Sequence, residues 1–427
     1  MTLVLISAFV LSGCARTPTP TAEPEEPKVE EPKEEPKEEP KEEPEPEPVS
    51  FTLWTKEGEA DGGLQYNQFL VDAYMADNPD VTIELVKKET VETLREDFQT
   101  AALAGAAPEL LWTVNDHAGP FTAAELIQPV DDLFDLSAYV DAALAAAVLE
   151  EKTWGIPISS GNHLMLLYNK SIIDAPPADT DELIALAGTL PEGVEVLVFN
   201  QTEPFWLVPW LGGFDGAVFA ADGVTPTLNT PEMVATLQFF HDIKYTHGII
   251  PAESDYEGAD TLFKEGKAAM IINGDWSLGD YINSIGENLG VARIPKVSAT
   301  GTFPAPYTSG TYFMIAEGVE GAVLDAVVDF VEFATNADNQ AKMLADLNRL
   351  PALIAALDSP LLAEDPTLKG SADQMVVGTP MPTVLEMRCN WDSMKPEMQA
   401  VLADTKMPED AAVAMQEAAE ACIVALE

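Results

Sequence analysis

Four aromatic positions in this chain share one setting: each follows an apolar run at the point where the sequence turns polar. Trp112 closes PELLW and opens TVNDHAGP, which carries Asp116 and His117. Phe205 follows the apolar run Val194–Phe199 and the polar stretch Asn200-Gln201-Thr202-Glu203-Pro204, so a carboxylate stands beside it. Trp276 follows AAMII and the turn signal Asn273-Gly274. Trp391 ends MPTVLEMRCNW, with Lys395 just beyond it. Aromatic faces give contact area and stacking, and ionised carboxylates accept the stronger hydrogen bonds. A sugar ring has apolar C–H faces and a hydroxyl rim, so these residue types together suit carbohydrate recognition. Any one of these tryptophans alone reads as well as a core residue beside a turn. The repetition is what argues for a site.

Other chemistries find less support. A glycoside hydrolase needs two carboxylates about 5 Å or 6.5–9.5 Å apart. With 72 acidic residues such pairs arise by chance, and none stands in a motif. That enzyme, or another sugar-active surface lipoprotein enzyme, stays open as the alternative, and a structural or adhesive surface protein is a third reading. The four histidines, His117, His163, His241 and His247, are dispersed, so no metal site and no cofactor is expected. No phosphate-binding loop is present. The formal net charge of −50 argues against binding nucleic acid.

The elements that must place the aromatics alternate. FTLW (51–54) reads as a strand, the Gly-rich TKEGEADGG as a loop, 64–75 as a helix, 81–86 as a strand, 92–105 as a helix and 108–112 as a strand. Strand and helix in alternation with short connections indicate an α/β fold, where ligands sit beyond the carboxyl ends of strands. The stretch 261–276 repeats that grammar: a short helix, Gly266 suited to the position that ends it, a buried strand and then Trp276. The body from Ser50 is too long for one core and suggests two domains. Three connections are candidate crossings between them: Ser159–His163, the region 303–315 and the region near 351–366. Two helices, about 389–404 and 408–427, close the chain. If they form an antiparallel hairpin, Cys389 and Cys422 lie at the same end, and a disulfide between them is expected in an oxidising compartment.

The N-terminus MTLVLISAFVLSGC has an apolar run too short to span a bilayer and right for a signal peptide. It ends in a sequence that resembles a bacterial lipobox, with Cys14 as the lipidated residue. The missing basic n-region points to a start upstream of Met1. Residues 15–49 follow as a tether. From Glu23 to Pro48 there are 13 Glu, 4 Lys and 8 Pro, a composition that buries no core. Extended at about 3.1 Å per residue, it would reach on the order of 80 Å.

Five stretches together resemble the maltose/maltodextrin-binding proteins of bacterial ABC importers, within the extracellular solute-binding proteins: GIPISSGNHLMLLYNKSII, VFNQTEPFWLVPW, ADTLFKEGKAAMIINGDW, PYTSGTYFMIAEGV and GTPMPTVLEMRCNW. They keep the family's order, and the resemblance covers essentially all of 51–427. It implies a two-lobed periplasmic-binding-protein fold of type II, with a ligand cleft between the lobes and three hinge crossings. The lobes would comprise 50–159 with 308–360, and 160–307 with 361–427. By the same resemblance Trp112, Phe205, Trp276 and Trp391 fall on sugar-contacting aromatics, Phe205 standing where tyrosine is usual. Glu203 falls on a carboxylate that accepts sugar hydroxyls. Asp116 and His117 lie near an Asp-Arg pair, one extra residue after Trp112 separating the two registers, and Lys395 stands where arginine is frequent. Lys56, Gly58 and Glu59 replace the family's Asn, Asp and Lys in the first loop. A carboxylate expected in the first crossing meets Gly161 or Asn162. The implied function is an extracytoplasmic, lipid-anchored, monomeric receptor, on the periplasmic or cell-surface side. It would close on an oligosaccharide, with an α-glucoside as the leading class, and deliver it to the permease subunits of an ABC transporter.

Overall fold

The computed structural model describes residues 48–59 and 62–426; Cys14, the apolar N-terminus and nearly all of the 15–49 tether lie outside them. The first strand, β1 (Val49–Thr55), leads through the Gly-rich loop to α1 (Gly63–Asp77). Then come β2 (Val81–Lys87), α2 (Val91–Leu103), β3 (Leu110–Val114), β4 (Ile156–Pro157), β5 (Ser159–Ser160), β6 (Leu164–Asn169) and β7 (Glu195–Val198). The later elements are α3 (Pro231–Tyr245), α4 (Tyr256–Lys264), β8 (Ala268–Gly274), β9 (Leu289–Ala292), β10 (Thr311–Ile315), α5 (Gly321–Ala334) and α6 (Ala337–Leu347). The chain ends with β11 (Leu350–Pro351), α7 (Pro366–Met375), α8 (Glu386–Leu402) and α9 (Pro408–Val424). Several shorter turns and strands are left unlabelled.

Two sheets organise the body. The first has the order β2-β1-β3-β10-β4, and the second β9-β6-β8-β7. In the first, β1 runs parallel to β2 and β3, while β10 enters antiparallel between β3 and β4. Strand alternation assigns the two faces. Phe51, Leu53, Leu110, Trp112, Phe313 and Ile315 pack into one core, and Leu111, Tyr312 and Met314 into another on the opposite face. The second sheet is likewise packed on both faces, with Leu166, Met270 and Ile272 on one and Leu167, Val198 and Ile271 on the other. This is the layered α/β architecture expected from the alternation of elements.

Helix ends follow local chemistry. The Thr90 side chain accepts from the Thr93 N–H to start α2, Thr230 caps α3 ahead of Pro231, and Asp255 caps α4 through the Gly258 N–H. Gly266 ends α4 at φ 69°, as its position predicts. Between the sheets, β5 pairs with β11, and Gly161 pairs with Ser309. The three segments expected to cross therefore lie side by side.

Sequence and structure differ at three places that matter. β3 runs two residues further than expected, to Val114, so Trp112 lies within the strand and not at its end. The stretch WGIPI, which also reads as a strand, forms one only at Ile156–Pro157. α8 starts at Glu386, three residues earlier than expected, which puts Trp391 in its second turn. Cys389 and Cys422 are bonded, joining α8 to α9.

Candidate functional site

Three turns that follow strands, and one helix, present the residues of interest. Pro204–Trp206 is a single 3-10 turn after β7, opened by proline at its first position. Asp275–Ser277 is the corresponding turn after β8, and Asn115–His117 the one after β3. α8 supplies Trp391 and, one turn on, Lys395.

The rings meet. Phe205 lies 6.2 Å from Trp276 and 6.2 Å from Trp391, centroid to centroid, at tilted angles of 47° and 54°. Tyr307 stands edge-on to Trp391 at 6.0 Å. Trp206 supports the group from beneath, edge-on to Trp276 and Tyr256, with its indole N–H donated to the Ile272 carbonyl at 2.8 Å. The Trp276 indole N–H donates to the Tyr256 hydroxyl at 3.0 Å, which fixes the plane of the ring. Phe205, Trp276 and Trp391 stay half-buried, so their remaining faces are available to a ligand. Gly274 is needed here because a Cβ at that position would run into the Trp276 ring.

Polar groups rim these rings. Glu203 Oε1 lies 2.5 Å from Lys395 Nζ, so two residues singled out separately in the sequence form one ion pair. From the other sheet, Asp116 approaches Trp391, whose indole favours its charged form. Asn115 Nδ2 donates to the Met381 carbonyl at 3.1 Å, and Thr383 Oγ1 to the Val148 carbonyl at 3.1 Å, so the two halves touch along this edge. Burial pushes the Asp116 carboxyl up to about 6; its own backbone N–H and the Trp391 indole oppose the shift, and Glu92 adds to it. The carboxylates and ammonium can exchange hydrogen bonds with hydroxyls, while the ring faces cover apolar C–H surface.

Other expected site residues are placed differently. Trp112 is fully buried, packed edge-on against Phe313 at 5.1 Å and Tyr66 at 6.3 Å. It shares its strand face with Leu110, so it is a core residue and no platform for a ligand. His117 is only 3% exposed, with Nδ1 bonded to Thr113 Oγ1 at 2.7 Å and its ring against Phe121. Burial first, then the charges of Arg95, Arg388 and Lys56, push it down to about 3, so it is a neutral internal group. Glu59 pairs with Lys87 at the end of β2 (3.5 Å), and both are exposed.

Lys56 is held by Glu57 at 3.0 Å, and Glu57 pairs with Arg349 at 2.7 Å. Glu57 and Arg349 are both buried. Burial alone would raise the Glu57 carboxyl; Arg349 and Lys56 outweigh it and hold the group well below the usual carboxylate range. Glu57, Arg349, Tyr256 and Tyr307 are the neighbours that sequence reasoning leaves out. Tyr256 directly follows the helix cap Asp255, and that cap signal was the one clue available for it. Among the described residues, no group of three or more His, Cys, Asp or Glu is placed to hold a metal ion.

The chain is similar in sequence and fold to known proteins. A family model described as bacterial extracellular solute-binding protein matches residues 70–370. The maltotriose-binding protein of Pyrococcus abyssi is 26% identical over 351 residues, 80% of this chain and 76% of that protein. The galactooligosaccharide-binding protein of Bacillus subtilis is 24% identical over 348 residues, 78% of this chain and 80% of that protein. The solved structure of the maltose/maltodextrin-binding domain from Bdellovibrio bacteriovorus bound to maltotriose is similar with a TM-score of 0.83 and 36% identity. That match covers 88% of this chain and 100% of the other.

Proposed function

This chain belongs to the bacterial extracellular solute-binding proteins, and from that premise we propose that it is the oligosaccharide receptor of an ABC importer, with a maltodextrin-like α-glucoside as its ligand. The observation that carries the reading is the contiguous row Trp276, Phe205, Trp391 and Tyr307, rimmed by the Glu203–Lys395 pair. Stacked rings and hydroxyl-accepting carboxylates are what a sugar chain needs. Trp276, Phe205 and Trp391 would cover sugar faces, and Glu203, Lys395 and Asp116 would bond hydroxyls, with Lys56 at the edge. Affinity near micromolar, roughly −8 kcal/mol, is within reach of such a set. The relatives named for maltotriose, galactooligosaccharide and maltose/maltodextrin support the sugar class.

In this reading, residues 50–159 with 308–360 form one lobe and 160–307 with 361–427 the other. They close on the sugar by a hinge motion at the crossings, the ligand favouring the closed population through its higher affinity for it. The closed monomer delivers its sugar to the permease, and Cys14, lipidated, anchors the receptor to the membrane through the acidic tether. It performs no catalysis.

A thermal-shift panel of maltose, maltotriose, trehalose, cellobiose and xylobiose, with amino acids as controls, tests the reading. A ligand that binds only the native state raises the melting temperature. An upward shift with an α-glucoside that is recovered intact is the expected result. No shift with any sugar overturns the sugar assignment, and hydrolysis of a panel member overturns the receptor in favour of an enzyme.

A further inference from the structure

The first crossing holds backbone in unfavourable conformations. Gly161 lies at φ 142° and Asn162, a residue with a Cβ, at φ 46° in the left-handed region. Asn enters that region more readily than other residues with a Cβ, and tertiary contacts hold it there. What surrounds it is Asp275. The Asp275 Oδ2 accepts the Asn162 backbone N–H at 3.1 Å, and the Asp275 N–H donates to the His163 carbonyl at 3.2 Å. The carboxylate lies so close over Gly161 that a Cβ there would collide with it. Asp275 is only 3% exposed. The same few residues reach every neighbouring segment. Gly161 and Ser309 exchange both backbone hydrogen bonds with the second crossing, and the buried His163 donates from Nε2 to the Ser371 carbonyl of α7 at 3.0 Å.

Asp275 also opens the turn that carries Trp276. One short turn therefore holds both the ring proposed to stack on sugar and the carboxylate that fixes the chain where it passes between the sheets. We propose that Asp275 is a positioning residue that locks the first crossing in its closed-competent geometry, and so sets sugar affinity without touching the sugar. The proposal rests on the receptor reading above. Apparent affinity scales with the fraction of molecules already able to close. Removing the acceptor releases Asn162 toward ordinary backbone conformations and lowers that fraction. The carboxylate expected in the first crossing, at Gly161 or Asn162, is thus supplied from a different element, in a structural role.

The test uses the full chain carrying distance labels at two exposed positions, Asp72 on α1 and Glu420 on α9. In Asp275→Ala the sugar-free distance distribution broadens toward longer separations, and the maltotriose dissociation constant rises about tenfold, as expected for loss of one charge-assisted hydrogen bond. Asp275→Asn keeps an acceptor oxygen and stays within about twofold of the parent. Gly161→Ala, which displaces the carboxylate, weakens binding similarly, and its effect does not add to that of Asp275→Ala. If the alanine variant fails to fold, Asp275→Ser, whose hydroxyl falls short of Asn162, takes its place. Unchanged distances and affinity in the alanine or serine variant overturn the proposal, as does an asparagine variant as weak as alanine. The distance readout needs no ligand. Absence of sugar binding by the parent chain would count against the receptor reading, whereas unchanged distances would count against this one.

Discussion

Trp276 and Trp112 separate binding from folding. Trp276 keeps a free face and a fixed edge, so Trp276→Ala should weaken sugar binding by about 1–3 kcal/mol, measured by calorimetry, with little change in melting temperature. Trp112 is filled in on every side, and Trp112→Ala should cost about 3–5 kcal/mol of stability in denaturant titration. The reverse pattern would exchange their roles. His117 gives a pH test. Its folded value, about 3, lies below its ordinary value, so the unfolded chain takes up the proton first. This group's share of stability is complete above about pH 6.5 and declines as pH falls toward 3. The loss should be on the order of 1 kcal/mol per pH unit within that window, and thermal unfolding of His117→Gln from pH 7 to 4 should show a correspondingly flatter dependence. The sequence conveys Phe205 and Trp276 because each follows its strand within a few residues. It misleads at Trp112 because Thr113 and Asn115 look like loop, yet both are buried and bonded, Thr113 to His117 and Asn115 to the Ala146 carbonyl. Glu57 and Arg349 stay hidden because their pairing depends on tertiary structure alone.

At the scale of elements, α8 is the most informative. It carries Trp391 and Lys395 toward the rings, contacts Asp116 from across the cleft edge, and is tied to α9 by Cys389–Cys422. Breaking that bond, by reduction or by serine at both cysteines, should cost about 2–4 kcal/mol, given the 33-residue separation. Equal melting temperatures with and without reductant would show that the packing of α8 on α9 suffices by itself. The start of the helix at 231–245 is marked in the sequence, because Thr230 caps it and Pro231 opens it. The start of α8 is not: Leu385 offers no capping side chain, so its first turn passes for loop.

For the whole molecule, two sheets joined through paired crossings allow motion about a small number of backbone positions while each core stays intact. Saturating maltotriose should narrow the distribution of distances between Asp72 and Glu420 and shift it to shorter values; an unchanged distribution would mean that sugar binds without closure. The alternation of elements and the order of the crossings were legible because they depend on local pattern. Which faces meet across the cleft depends on turns whose length a pattern fixes only to within a residue or two.

The antiparallel strand Thr311–Ile315 sits inside the first sheet, between strands made about 150–200 residues earlier. All four strands of the second sheet come from the interval between. A chain emerging from the ribosome thus completes the later sheet before the earlier one. Until residue 315 is made, β3 and β4 have no partner between them, and their apolar edges stay open. Slow, non-local closure of this kind lengthens the time spent as an incomplete chain. The same interleaving that places a hinge between the two halves keeps the first sheet from closing until residue 315 is made, while the core over the second sheet waits for the helices at 386–424.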